Sequence, residues 1–199
     1  FSFFVLILLA SFYPTPSLLS KEYNEVYLIE VGSLDIGKLF WDIKLNENEY
    51  EIKIRVQDRG VFSGIYKFDG VYESLGKKIR NNLIPVSYKQ DWKTRKKNRL
   101  VELFFVDGVV NSLKISPEEK ELPKINYTDL ENYFDPLSSF YKILSGESYS
   151  KTIDGRRTYT MKVDEKEIVE SYLIKKISVA DYLNIWADHK RNNLKRIDI

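Results

Sequence analysis

The sequence predicts a mainly β protein (β-rich α+β): a curved antiparallel meander sheet forming an open or partly closed barrel, with one packed helix near residues 136–145. Three observations carry this expectation. From Lys21 onward most of the chain alternates apolar and polar residues with the strand period of two. Turn signals built from Asn, Asp and Gly fall between these runs at short intervals. Only one segment carries a clear helical period, with Leu137, Phe140, Tyr141 and Leu144 at i, i+3, i+4 and i+7.

The elements follow in order. Residues 1–20 carry no charge, and Phe3 to Ala10 is a continuous apolar run broken by Pro14 and Pro16. That run is too short for an ordinary membrane span and reads as the core of an export signal. A basic leading region and a clean cleavage site are missing, so the expectation is a partial signal over 1–20 and a single domain over 21–199. An apolar first strand or a retained anchor is the plainer alternative. Leu39, Trp41, Ile43 and Leu45 alternate with charged neighbours, as do Ile52, Ile54 and Val56. Leu103 with Phe105, and Tyr159, Met161 and Val163, repeat the pattern. Asn46-Glu47-Asn48, Asp107-Gly108 and Asp154-Gly155 read as turns, and Asp107-Gly108 is the strongest hairpin signal. Asp69-Gly70 fits either a hairpin or a bulge in a long strand. These signals predict about ten strands, and a sheet of that size must curl, split or close. Ser116 to Lys124, flanked by prolines, reads as the loop leading to the helix. Asp135 is placed to cap that helix, Pro136 to begin it and Gly146 to stop it.

Composition narrows the chemistry. The 199 residues carry 31 Lys+Arg against 29 Asp+Glu, a formal net charge of +2. That balance argues against a dedicated nucleic-acid binder. There is no cysteine and one histidine, His189, so thiol chemistry, iron–sulfur clusters and two-histidine metal sites are excluded. No phosphate-binding glycine loop or calcium loop is present, and the sequence suggests no cofactor, metal site or catalytic residue.

Several segments in order resemble a known family: Tyr27 to Gly37 (YLIEVGSLDIG), Gly60 to Gly64, Ser74-Leu75-Gly76, Leu83 to Tyr88 (LIPVSY), Phe134 to Leu137 (FDPL), Asp154 to Tyr159 (DGRRTY) and Ile185 to Asp188 (IWAD). The series is similar to the bacterial exported family called domain of unknown function 3108, over nearly all of residues 23–199. The resemblance implies an exported, mostly antiparallel β protein with a curved sheet. It implies no established activity and no site residues. The end departs from the pattern: Lys190 to Lys195 lacks the usual proline turn, and Leu194, Ile197 and Ile199 read as the beginning of a strand.

Four groups of residues remain as candidates. The run Lys89 to Arg99 (KQDWKTRKKNR) is strongly basic around Trp92. Its functional reading is a surface for an anionic envelope ligand, carried by Lys93, Arg95, Lys96, Lys97 and Arg99; the plainer reading is a solvated hairpin tip. His189, beside Trp186 and Asp188, reads as a solvated turn residue, with no G-x-S-x-G elbow to support a catalytic triad. Carboxylates cluster at Glu118, Glu119 and Glu121, at Asp129, Glu131 and Asp135, and at Asp164, Glu165 and Glu167; a glycosidase pair would need two of them at a set separation. The aromatic load is high, with 3 Trp, 14 Tyr and 11 Phe. Trp41, Tyr66, Phe68, Phe104, Phe105, Phe140 and Tyr141 are expected inside the curl. They form either an ordinary core or a cavity for an acyl chain or other apolar ligand, with Trp41, Tyr66 and Phe140 as its candidate residues.

The leading expectation is an exported periplasmic or envelope protein that binds a hydrophobic or lipid-like ligand without catalysis. It meets the membrane only through its signal segment, and its oligomeric state is open. An envelope interaction scaffold that binds another protein is the first alternative. A hydrolase of envelope polymers, using paired carboxylates or Ser138 or Ser139 with His189, is the second.

Overall fold

The structure is a computed structural model that describes residues 21–31, 34–58, 67–169, 172–186 and 196–198. The expected signal segment, Tyr66 and His189 lie outside the described residues.

Seven strands form an antiparallel meander in sequence order: β1 (Lys21–Val31), β2 (Leu34–Leu45), β3 (Glu49–Asp58), β4 (Phe68–Ile79), β5 (Asn82–Thr94), β6 (Asn98–Val106) and β7 (Val109–Ser116). Among the described residues this sheet is not closed; β1 and β7 are its edges. A short 3-10 turn over Tyr127–Asp129 leads to the helix α1 (Pro136–Leu144). A second antiparallel sheet holds β8 (Tyr149–Ile153), β9 (Arg157–Val169), β10 (Tyr172–Asn184) and β11 (Arg196–Asp198), in the order β11-β10-β9-β8. The fold is thus mainly β with one α-helix among the described residues, as expected, and the strands split between two antiparallel sheets.

The turns explain the meander. Asp107 (φ 51) and Gly108 (φ 79) both take the left-handed backbone that a two-residue hairpin needs. Asp154 Oδ1 accepts from the backbone N–H groups of Arg156 and Arg157 and closes the β8–β9 turn. Asp69-Gly70 is neither hairpin nor bulge: both residues lie within β4 in regular register with β3 and β5. The irregularity falls five residues later, between Leu75 and Gly76.

Register aligns the inward residues in rows. Ile43, Ile52, Ser74, Tyr88, Leu103 and Leu113 face one another from β2 to β7. Trp41, Ile54, Tyr72, Gln90, Val101 and Ile115 form the next row, and Leu39, Val56, Gly70, Trp92 and Arg99 the row beyond. The helix α1 packs against β3, β4 and β5 on one side and against β8 and β9 on the other. The core sits there: Ile52, Leu103, Val110, Ile143, Ile153 and Ile185 are fully buried. Each such side chain stabilises the fold by roughly 1.5–3 kcal/mol through apolar burial.

Two packing expectations need correction. Phe104 and Phe105 do not both point inward: Phe105 is buried and Phe104 is 45% exposed on the outer face. Successive strand residues point to opposite faces, so neighbours cannot share one. In the helix, Leu144 is exposed while Ser138, Ser139 and Ile143 are buried. A helix wedged between two sheets buries more than one stripe, and its last turn emerges from the wedge.

Candidate ligand-binding surface

The helix is fixed to the concave face by buried polar groups. Asp135 caps it, accepting at Oδ1 from the N–H groups of Leu137 (2.9 Å) and Ser138 (3.1 Å). Its Oδ2 accepts from the hydroxyls of Ser74 (2.9 Å) and Ser138. Tyr50 Oη completes the cluster, 2.7 Å from Ser138 Oγ and 3.2 Å from Ser74 Oγ. Burial pushes the Asp135 carboxyl up from the ordinary carboxylate range, against the pull of these hydrogen bonds. Burial likewise raises the Tyr50 phenol, and the nearby Asp135 charge adds to the effect. On the other side Ser139 Oγ accepts from Ser150 (3.1 Å) and Thr152 (2.8 Å) of β8.

Ser138 and Ser139 are wholly buried, and their hydroxyls are engaged with Asp135, Tyr50, Ser150 and Thr152. In the expected carboxylate clusters, Asp135 is fully buried. Glu119 instead pairs with the buried Arg156, at the side of a cleft of about 310 Å³ bordered by Arg99, Lys120 and Trp186. Two further open clefts, of about 600 and 640 Å³, lie beside Tyr50 and Gly76 and beside the C-terminal end of α1. The first sets Tyr50, Leu75 and Val86 among charged side chains, and the second is lined mainly by charged and amide side chains. Among the described residues no group of three or more His, Asp or Glu could hold a metal ion. Nor is any helix among them long and apolar enough to cross a membrane.

Burial falls steeply along the concave face. In the row of Ile52, Ser74, Tyr88 and Leu103 every one of these residues is sealed under the helix and the second sheet. In the row of Leu39, Val56, Trp92 and Arg99 each is only half-buried. Phe68 continues this open strip; its ring stacks on Trp92 with centroids 6.2 Å apart. Gly70 lies between Phe68 and Tyr72 because both rings close over its missing side chain. At the edge, Tyr23 and Tyr27 remain 49% and 47% exposed, opposite Ile43 and Leu39.

Two expected ligand residues meet at the boundary between sealed and open rows. Trp41 packs on Phe140 of α1, with ring centroids 5.1 Å apart. Its indole Nε1 is buried and has no hydrogen-bond partner. An unmet buried donor costs roughly 1–3 kcal/mol, so this position is under-satisfied as it stands. The third candidate, Tyr66, lies outside the described residues.

The expected basic surface is the β5–β6 hairpin. Lys93, Arg95, Lys96 and Lys97 are exposed at its end. Arg99 differs: it is half-buried on the inner face, its guanidinium 5.8 Å from the centre of the Trp92 ring. Sequence reasoning did not single out Phe68, Val56 and Leu39 as neighbours of Trp92, because only the strand register brings them into one row. The period-two pattern was the available signal.

Comparison of the chain with family models, with curated proteins and with solved structures finds no match.

Proposed function

We propose that this chain is an exported, non-catalytic binding protein that holds a lipid-like ligand on the concave face of the seven-stranded sheet. The half-buried apolar row of Leu39, Val56 and Trp92 carries the reading. It begins where the sealed core gives way, beside Trp41. An apolar chain lying along that row would bury surface that the helix leaves open. The apolar opening segment and the resemblance to an exported family support the envelope as the place where such a ligand is met.

The test is a titration with single-chain amphiphiles carrying bromine on the acyl chain, kept below micelle concentration. Bromine quenches tryptophan at contact, and Trp41 and Trp92 both border the strip. Saturable quenching that weakens in Trp41→Phe and Trp92→Phe is the expected result. Absence of saturable quenching would remove the reading.

A scaffold role has one observation in its favour. On the outer face Ile79, Val86, Phe104 and Val106 are exposed at 55%, 42%, 45% and 55%. Apolar surface of that kind marks contact sites between proteins. Sedimentation of the chain over a concentration series tests for self-association through it.

A further inference from the structure

The β5–β6 hairpin is closed by the backbone and side chain of Thr94. Thr94 N–H donates to the Lys97 carbonyl (2.8 Å), and Thr94 Oγ1 accepts from the N–H groups of Lys96 (3.3 Å) and Lys97 (3.0 Å). The turn therefore sets the backbones of Arg95, Lys96 and Lys97 side by side, with their side chains exposed. No carboxylate among the described residues forms an ion pair with these three. Elsewhere cations do find partners: Lys53 with Glu73, Lys114 with Glu102 and Arg157 with Asp154. Lys93 lies on the outer face directly opposite Asp69 and two residues from Asp91, whereas Arg95, Lys96 and Lys97 in the turn have no acid opposite them in the register. Clustered, unneutralised cations on an ordered turn cost repulsion that an anion would relieve.

The position of the turn matters as much as its charge. Phe68 pairs with Thr94 across the strands, and Trp92 lies two residues before it, about 7 Å along the strand. The open apolar strip of the concave face thus runs directly into the basic turn. Arg99 joins the two, lying over Trp92 on the inner face. From Leu39 on β2 to Trp92 on β5 the strip crosses three strand spacings, about 14 Å.

The geometry points to an anionic amphiphile as the ligand: its chain along Leu39, Val56 and Trp92, and a phosphate or carboxylate headgroup at Arg95, Lys96 and Lys97. This rests on the binding surface proposed above and names the ligand's chemical class. The headgroup contacts are charge-assisted hydrogen bonds, and Arg95 can engage two oxygens at once.

The experiment uses the full chain and two amphiphiles with the same brominated acyl chain, one ending in a phosphomonoester and one in phosphocholine. In low salt the phosphomonoester is expected to bind about tenfold more tightly, with the gap shrinking as salt rises. The gap is expected to close in the variant Lys93→Gln/Arg95→Gln/Lys96→Gln/Lys97→Gln. Those side chains are exposed, and a melting curve superposing on the parent's shows that the variant folds. Equal affinity for the two headgroups, or a gap that survives the variant, overturns the headgroup assignment while leaving the apolar surface standing. No quenching by either amphiphile removes the surface itself. A response to inorganic phosphate alone as strong as to the phosphomonoester overturns the amphiphile in favour of a free anion. Binding only to anionic vesicles, with no single-chain complex, overturns it in favour of a bilayer.

Discussion

Replacing Asp135 by Ala removes the group on which helix and sheet converge. Four donors lose their acceptor: the N–H groups of Leu137 and Ser138 and the hydroxyls of Ser74 and Ser138. The hydroxyls can turn towards each other and to Tyr50, since Ser74 Oγ and Ser138 Oγ are 3.0 Å apart. The two helix N–H groups have no such alternative in a site with no exposure. Loss of an N-cap costs about 0.5–2 kcal/mol, and each buried unmet donor about 1–3 kcal/mol. Relief of the carboxylate's own burial offsets part of this. A net loss of about 2–4 kcal/mol remains, which lowers the melting temperature by roughly 5–15 °C for a chain of this size. Asp135→Asn keeps an amide oxygen for the two N–H groups and caps nearly as well as Asp, so it should cost less than half as much. Urea unfolding followed by circular dichroism measures both. An Ala variant within 0.5 kcal/mol of the parent, or an Asn variant as damaged as the Ala variant, would refute the assignment of Asp135 as the cap that binds helix to sheet.

Further outcomes follow from the same packing. The folded Asp135 carboxyl is raised above its ordinary value of 3.8, so the native state holds the proton more tightly than the unfolded chain does. Its contribution therefore falls as pH rises from about 4, and the stability of the parent relative to Asp135→Asn should decline over that interval; unfolding at stepped pH values showing a rise would contradict the sign. Gly76→Ala places a methyl against the Ile84 carbonyl and the Tyr50 ring; a loss of about 1–3 kcal/mol is expected, and an unchanged denaturation midpoint would contradict it. Trp41→Phe removes an unmet indole N–H and with it part of the packing on Phe140; relief of the one offsets loss of the other, so stability should change by less than about 1 kcal/mol while amphiphile quenching weakens, and a loss of several kcal/mol in the melt would show that the indole is a structural group. Gly155 combines φ 82 with close contact to Val101, and Gly155→Ala should destabilise by about 1–3 kcal/mol, read from the same melts.

The strands and the helix were legible because their signals are local. Period-two alternation located β2, β3 and β6, Asp107-Gly108 gave its hairpin, and Asp135, Pro136 and Gly146 bounded the helix within a residue. What could not be read depended on distant contacts. Ser138 and Ser139 look like solvent residues until Ser74 and Thr152 arrive from β4 and β8 to bond them. The bulge beside Gly76 follows from the approach of the Tyr50 ring and the Ile84 carbonyl, twenty-six and eight residues away in sequence. Of the candidate site, Trp41 with Phe140 and the basic turn were visible as residue types. Their connection through Phe68, Val56 and Leu39 was not, because the register of four strands decides it.

Native mass spectrometry of the protein taken from the cell envelope under mild conditions tests the proposed binding function most directly. The expected result is a reproducible added mass that organic solvent strips and that fragments as an anionic lipid. A bare chain at every concentration would contradict it and turn attention to the outer face and a protein partner.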